Sequence, residues 1–216
     1  MKVINFAEQR SLVNQFMMEL RDENIQKDML RFRNNIMRIG EIMAYEISKT
    51  LDYNEVDTQT CLGTAKSNVV ADKVVLATIL RAGLPLHQGM NEYFDHCENA
   101  FVSAYRKYID ENKFVIHIEY IASPRIDEKT LIICDPMLAT GSSMELAYEA
   151  LRTKGKPAKI HLVSVIASRR AVEFIQEKFP EDTTLWVGAI DDEINSHKYI
   201  VPGLGDAGDL AFGEKE

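Results

Sequence analysis

The sequence predicts an α/β fold: a central, mostly parallel sheet with helices on both faces, a small antiparallel arm and an irregular C-terminal loop. Short continuous apolar runs alternate with stretches of helical periodicity, as strands buried on both faces by crossover helices do. Small-residue loops and charges follow several of these runs, at the edge where an open parallel sheet binds ligands. With 216 residues, 46% of them apolar, the chain suits one domain spanning 1–216 around a substantial core.

The elements follow in order. Over residues 28–51, Phe32, Ile36, Ile39, Met43, Ile47 and Leu51 recur at steps of three and four. This is the stripe of a long amphipathic helix, able to pack on the sheet or against a second subunit. Residues 73–80 (KVVLATIL) form a β-branched central strand, 84–94 a helix and 99–105 a second strand. The segment 114–120 (FVIHIEY) roughly alternates, as in an antiparallel arm with His117 and Glu119 on its wetter face. Residues 130–134 read as the next core strand, followed by a helix from Ser142 to about Lys154. A strand at 159–166, a helix at 169–179 and a strand at 183–190 complete the alternation.

Composition excludes several function classes. With 25 basic and 33 acidic residues the net charge is −8, which argues against nucleic acid as the main partner. Cys61, Cys97 and Cys134 are widely spaced and form no CxxC pair, so neither a disulfide framework nor a zinc site is expected. The N-terminus carries no apolar signal core, and no stretch reaches the roughly 18 apolar residues of a membrane span. A cytoplasmic protein with no membrane partner is expected.

Residues 131–144, LIICDPMLATGSSM, carry the most chemistry. An apolar run ends at Asp135-Pro136, since proline removes a ladder donor and turns the preceding residue away from helix. Met137 and Leu138 follow, then Ala139-Thr140-Gly141-Ser142-Ser143, with so little side-chain bulk that a ligand can approach the backbone. A strand, a small-residue loop and a helix N-terminus make an anion site. The Asp135 carboxylate before it points to a ligand that also offers hydroxyls or a cation, hence a sugar phosphate. The loop lacks the lysine of GxxxxGK[ST] and the spacing of GxGxxG. An ordinary strand-to-helix turn with a Thr/Ser cap has the same composition, so the pattern alone leaves both readings open.

Two arginines stand at other strand ends, Arg81 before Ala82-Gly83 and Arg106 after Tyr105. Either alone suits a solvated cap; together, flanking an anion loop, they suit a diphosphate, which the guanidinium fork matches. The C-terminal string YIVPGLGDAGD (199–209) holds three glycines and a proline, which are expected to exclude a regular helix or strand. Such a loop can either lie over the surface or turn several backbone N–H and C=O groups inward to read the edge of a base.

These motifs resemble the uracil phosphoribosyltransferases, within the type I phosphoribosyltransferase superfamily. Asp135 to Gly141 resembles their phosphoribosyl-diphosphate (PRPP) loop, with Pro136 where many relatives carry a second acid; 199–209 resembles their uracil-recognition loop. The resemblance runs from about Asn14 to Gly213, is weak over 106–118, and finds Ser142 where relatives often have glycine. It implies an enzyme, a pentosyltransferase converting uracil and PRPP to UMP and diphosphate in pyrimidine salvage. Arg81 and Arg106 then contact the diphosphate, and Asp135 through Ser143 hold the phosphoribosyl group. Ile200, Gly205 and Ala207 meet the base through backbone, and Asp206 stands between base and PRPP. Mg²⁺ is expected as the cofactor, carried by PRPP with no protein cage. A homo-oligomer, dimer or higher, is also expected. Orotate is disfavoured as the base, since 200–207 holds no cation for its carboxylate. The alternative from another class is a PRPP- or nucleotide-sensing regulator that binds RNA; it requires a basic face. His117 with Glu119 lacks a third metal ligand, and Asp191-Asp192-Glu193 reads as a solvated acidic run.

Overall fold

The computed structural model describes residues 1–110 and 113–214, with side chains throughout except at 104–118. The chain enters through β1 (Lys2–Asn5) and a single 3-10 turn, then folds into α1 (Leu12–Arg21) and α2 (Met29–Ser48). Ser11 opens α1 with a capping box shared with Asn14, and the Asp28 side chain accepts from Arg31 N to open α2. A hairpin follows, β2 (Tyr53–Gln59) and β3 (Thr64–Val70), then β4 (Val74–Ile79) and α3 (Leu84–Asn91). Next come β5 (Glu98–Asp110), β6 (Lys113–Ala122), β7 (Thr130–Cys134), the two-residue β8 (Met137–Leu138) and α4 (Ser142–Arg152). The last third is β9 (Lys159–Ser168), α5 (Arg169–Lys178), β10 (Thr184–Asp191), β11 (Glu193–Ile194), β12 (Ile200–Val201) and α6 (Ala207–Phe212).

The main sheet runs β1-β10-β9-β7-β4-β5-β6, with β8 paired to β9. Every pairing is parallel except β5 with β6. Its central strands read as continuous apolar runs because both faces are covered; all five residues of β7 are buried. One face packs a core containing Leu20, Phe32, Ile36, Ile39, Leu86, Ile132 and Trp186 under α1, α2 and α3. The other packs Leu131, Ile133, Met144, Leu151, Leu162 and Ile175 under α4 and α5. The expected α/β sheet with helices on both faces is observed. Among the described residues no helix is long and apolar enough to cross a membrane.

Several features differ from the reading of the sequence, which placed neither β1 nor α1. The long helix ends at Ser48, and Leu51 is buried just beyond it. The β2–β3 hairpin was not anticipated: it buries neither face, so its sequence carries no apolar alternation to read. Its turn, 60–63, places Cys61 at the exposed tip. The C-terminal string, expected to be irregular throughout, contains β12 and the start of α6. The Asp206 carboxylate caps that helix by accepting from Gly208 N (2.8 Å) and Asp209 N (3.0 Å).

Candidate active site

The carboxyl ends of β4 and β7, with β8 and the start of α4, meet the C-terminal segment around a cleft of about 270 Å³. Ile79, Arg81, Asp135, Met137, Ser143, Asp206, Ala207 and Gly208 are among its lining residues. A smaller pocket of about 70 Å³ continues from it along Asp135, Leu138, Ala139, Thr140, Gly141 and Ser143. The phosphate-type loop and the C-terminal loop, 60 residues apart in sequence, therefore share one concavity.

The loop is built by the sheet. Pro136 O accepts from Val165 N (3.1 Å) and Ile166 N (3.0 Å), and β8 then pairs with β9 through Met137 and Leu138. Ser168 Oγ donates to Ala139 O (2.7 Å) while accepting from Ala171 N (2.9 Å), so one hydroxyl braces the loop and caps α5. Gly141 precedes α4 with φ of 76°, in the left-handed region, and gives the helix no side-chain cap. A Cβ there would lie 2.8 Å from Phe174 Cδ1, so the turn admits glycine alone without rearrangement. Thr140 Oγ1 accepts from Ser142 N (3.4 Å) and donates to Ser142 Oγ (3.1 Å), fixing the two hydroxyls side by side.

Asp135 sits at the meeting of the two pockets, 8% exposed. Burial pushes its carboxyl up to about 7, opposed only weakly by the hydrogen bond from Met137 N (3.4 Å). Its neighbour Cys134 is fully buried in β7, with Sγ 3.3 Å from Met90 Sδ. Among the described residues no group of three or more His, Cys, Asp or Glu is gathered to hold a metal. Of the two carboxylates lining the cleft, Asp206 already caps α6, while Asp135 is buried with open oxygen valence, which fits a hard cation that brings most of its own ligands.

Arg81 follows β4 directly, across a cis Leu80–Arg81 peptide. Its guanidinium rests on α6, donating to Gly213 O (3.3 Å) and pairing with Asp209 (3.5 Å), and remains 42% exposed. Arg106 lies in the antiparallel ladder opposite Ile116, but its side chain, like that of His117, falls outside the described residues.

In the C-terminal loop Ile200 is buried and pairs with Ile194. Ala207 N donates to Met137 Sδ (3.3 Å), tying this loop to the other wall of the cleft. Gly205 has φ of 91°. Between them, Gly203 N donates to Asp191 Oδ2 (2.8 Å) and Gly203 O accepts from Arg21 Nη1 (3.0 Å). Asp191 is 8% exposed and holds Arg21 through both oxygens (2.7 and 2.8 Å). Burial pushes its carboxyl up, but Arg21 and Gly203 N outweigh that and hold it below the usual carboxylate range. The acidic run 191–193 is therefore not uniformly solvated: Asp191 turns inward, while exposed Asp192 pairs with Arg169 (2.6 Å). The position of Asp191 at the carboxyl end of a core strand, where Asp135 follows β7, is the signal that would have found it. Asp209 and Gly208 were also missed, being hidden within a glycine-rich string.

The family model for uracil phosphoribosyltransferase matches residues 7–214. A uracil phosphoribosyltransferase from Porphyromonas gingivalis is 63% identical over 215 residues, covering 100% of both chains. One from Pyrococcus furiosus is 40% identical, over 94% of this chain and 86% of its own length. Among solved structures, the AQ2163 protein from Aquifex aeolicus is similar with a TM-score of 0.84 at 28% identity, covering 98% of each chain. A hypoxanthine phosphoribosyltransferase from Staphylococcus aureus shares the fold, with a TM-score of 0.51 at 15% identity over 75% of this chain. A match along nearly the whole chain, and 63% identity to a full-length relative, lead to one statement: the chain belongs to the uracil phosphoribosyltransferase family.

Proposed function

We propose that this protein transfers the phosphoribosyl group of PRPP to uracil, giving UMP and diphosphate, in pyrimidine salvage. The observation that carries this reading is the convergence of an anion loop, a buried carboxylate, an arginine and a backbone-rich loop on one cleft. The bond from the anomeric carbon to the diphosphate oxygen breaks, the bond to uracil nitrogen forms, and that nitrogen releases its proton to solvent. Positive charge develops on the ribose, so catalysis rests on positioning and electrostatics. Ala139 to Ser143 cradle the 5′-phosphate at the start of α4, with Pro136, Met137 and Leu138 shaping the approach. Asp135 takes the ribose hydroxyls. Arg81 leaves its loose pairing with Asp209 for the diphosphate, and Arg106 is assigned the same group. Asp135 is the residue that would face a Mg²⁺ ion brought in by PRPP, and such an ion would supply charge neutralisation to the leaving diphosphate.

Ile200, Gly205 and Ala207 offer backbone groups to the base, and Asp206 stands at its boundary with the ribose. The net charge of −8 directs the reading away from nucleic acid. Assembly into a homo-oligomer is inferred from the hairpin, since an isolated two-stranded ribbon with Tyr53, Val56, Val69 and Val70 exposed is marginal alone in water. Purified protein incubated with PRPP, Mg²⁺ and a panel of uracil, cytosine, orotate and hypoxanthine tests the activity. UMP and diphosphate are expected from uracil alone; no turnover of uracil overturns the proposal.

A further inference from the structure

We propose that Arg21 and Asp191, neither of which lines the cleft, are positioning residues that set the C-terminal loop for the base. The inference rests on the reading that residues 200–207 hold uracil. Arg21 is the last residue of α1 and Asp191 the last of β10, 170 positions apart in sequence. Their side chains form a bidentate pair, and each spends a further bond on Gly203: Arg21 on its carbonyl (3.0 Å), Asp191 on its N–H (2.8 Å). Both polar groups of one loop residue are thus held by charge-assisted bonds, stronger and more directional than neutral ones.

Gly203 is where the loop turns. Its φ is +63°, and a Cβ there would meet Ile200 O at 2.0 Å, so the chain folds back directly onto the residue assigned to the base. Ile200 lies three positions before and Ala207 four positions after this fixed point. Further ties come from the N-terminal segment, beside those from Met137, Arg81 and β11. Gln26 Nε2 caps α1 at Leu20 O and Arg21 O (3.1 and 3.2 Å), and its Oε1 lies 3.8 Å from where a Gly205 Cβ would be. Arg33 Nη1 donates to Ala211 O (2.7 Å). Leu204, Ala207 and Ala211 share a core with Leu20, Phe32 and Ile36. Helices α1 and α2 are therefore the frame of the loop that closes the cleft, and the ion pair is its pin.

Removing the pin leaves the sheet intact and frees Gly203, so its effect falls on one substrate. Arg21→Ala and Asp191→Asn are each expected to raise the KM for uracil about tenfold or more, because loss of preorganisation is felt directly in ligand placement. The KM for PRPP should stay within about twofold, as uniform binding of that substrate is untouched. The double variant should be no worse than the worse single one, since both act through Gly203. Arg21→Lys keeps the charge without the three-bond fork, so its uracil KM should fall between wild type and Arg21→Ala; it also serves if Arg21→Ala does not fold. Ala207→Val, which adds bulk to the cleft itself, is the control for the base-loop reading. If Ala207→Val raises the uracil KM while Arg21→Ala and Asp191→Asn do not, the positioning role is wrong and the base loop stands. If Ala207→Val also leaves it unchanged, the base-loop reading fails and this inference falls with it. Equal rises in both KM values would mark a general structural defect and overturn the proposal.

Discussion

Asp135 is a carboxylate kept where a carboxylate is costly. Its shift from the ordinary 3.8 to about 7 corresponds to a penalty on the order of 4 kcal/mol on the charged form in the unliganded protein. The folded chain binds this proton more tightly than the unfolded chain. Stability from this group is therefore complete below about pH 4 and lost as pH rises to about 7. Asp135→Asn should raise the melting temperature of the free protein at pH 8, flatten this part of its pH dependence, and lower turnover by orders of magnitude. Differential scanning fluorimetry from pH 5 to 8 beside a UMP assay checks it; an Asn variant less stable at pH 8 contradicts the burial argument. Arg81→Ala should raise the KM for PRPP with little change in that for uracil, measured by initial rates against each substrate. Residues such as Asp135 and Arg81 were legible because a charge straight after a buried strand is conspicuous in any α/β sequence. Arg21 was not: its partners lie at residues 191 and 203, and no local pattern announces a bond across that separation.

Among elements, α2 to α5 and the core strands were readable because burial imposes a period on them, while α1 went unread although Val13, Met17 and Leu20 are buried on one face. The strand at 130–134 coincides with β7, and most other ends moved by a few residues, the largest shift carrying β5 from the expected 105 to Asp110. Elements that bury no face leave no such trace, which is why β2 and β3 went unread. So did β1, four residues long and defined by its parallel pairing with β10. The turn into α4 depends on one residue. Gly141→Ala forces a side chain into the left-handed region and against Phe174, and should cost about 1–2 kcal/mol of stability. Because that turn shapes the phosphate cradle, the PRPP KM should rise as well. Urea unfolding with PRPP titration would show it, and an Ala variant as stable and as tightly binding as wild type would refute the strain.

For the molecule as a whole, the site is an edge rather than a hole, assembled where strand ends, two helix starts and the C-terminal loop meet. No residue between Leu51 and Val74 belongs to either core, so the hairpin is peripheral to folding of the sheet. Its base is held by Lys159, which reaches Asp52 (2.8 Å) and Asp72 (3.1 Å). Replacing 53–70 by a short Gly/Ser turn should leave the far-ultraviolet dichroism of the sheet and helices largely unchanged while lowering the mass found by light scattering. An unchanged mass would remove the hairpin from the assembly.

The three cysteines also form a graded chemical scale. Cys61 stands open at the hairpin tip, Cys97 is half-buried with its thiol pushed up by burial, and Cys134 is sealed in β7 with its thiol pushed up further. An alkylating reagent needs the thiolate, so it should modify Cys61 first, Cys97 when the start of β5 frays, and Cys134 only once the central sheet parts. Counting alkylated thiols by mass spectrometry across a denaturant series would then time the loosening of rim, edge and centre separately, using nothing but the chain's native sulfur.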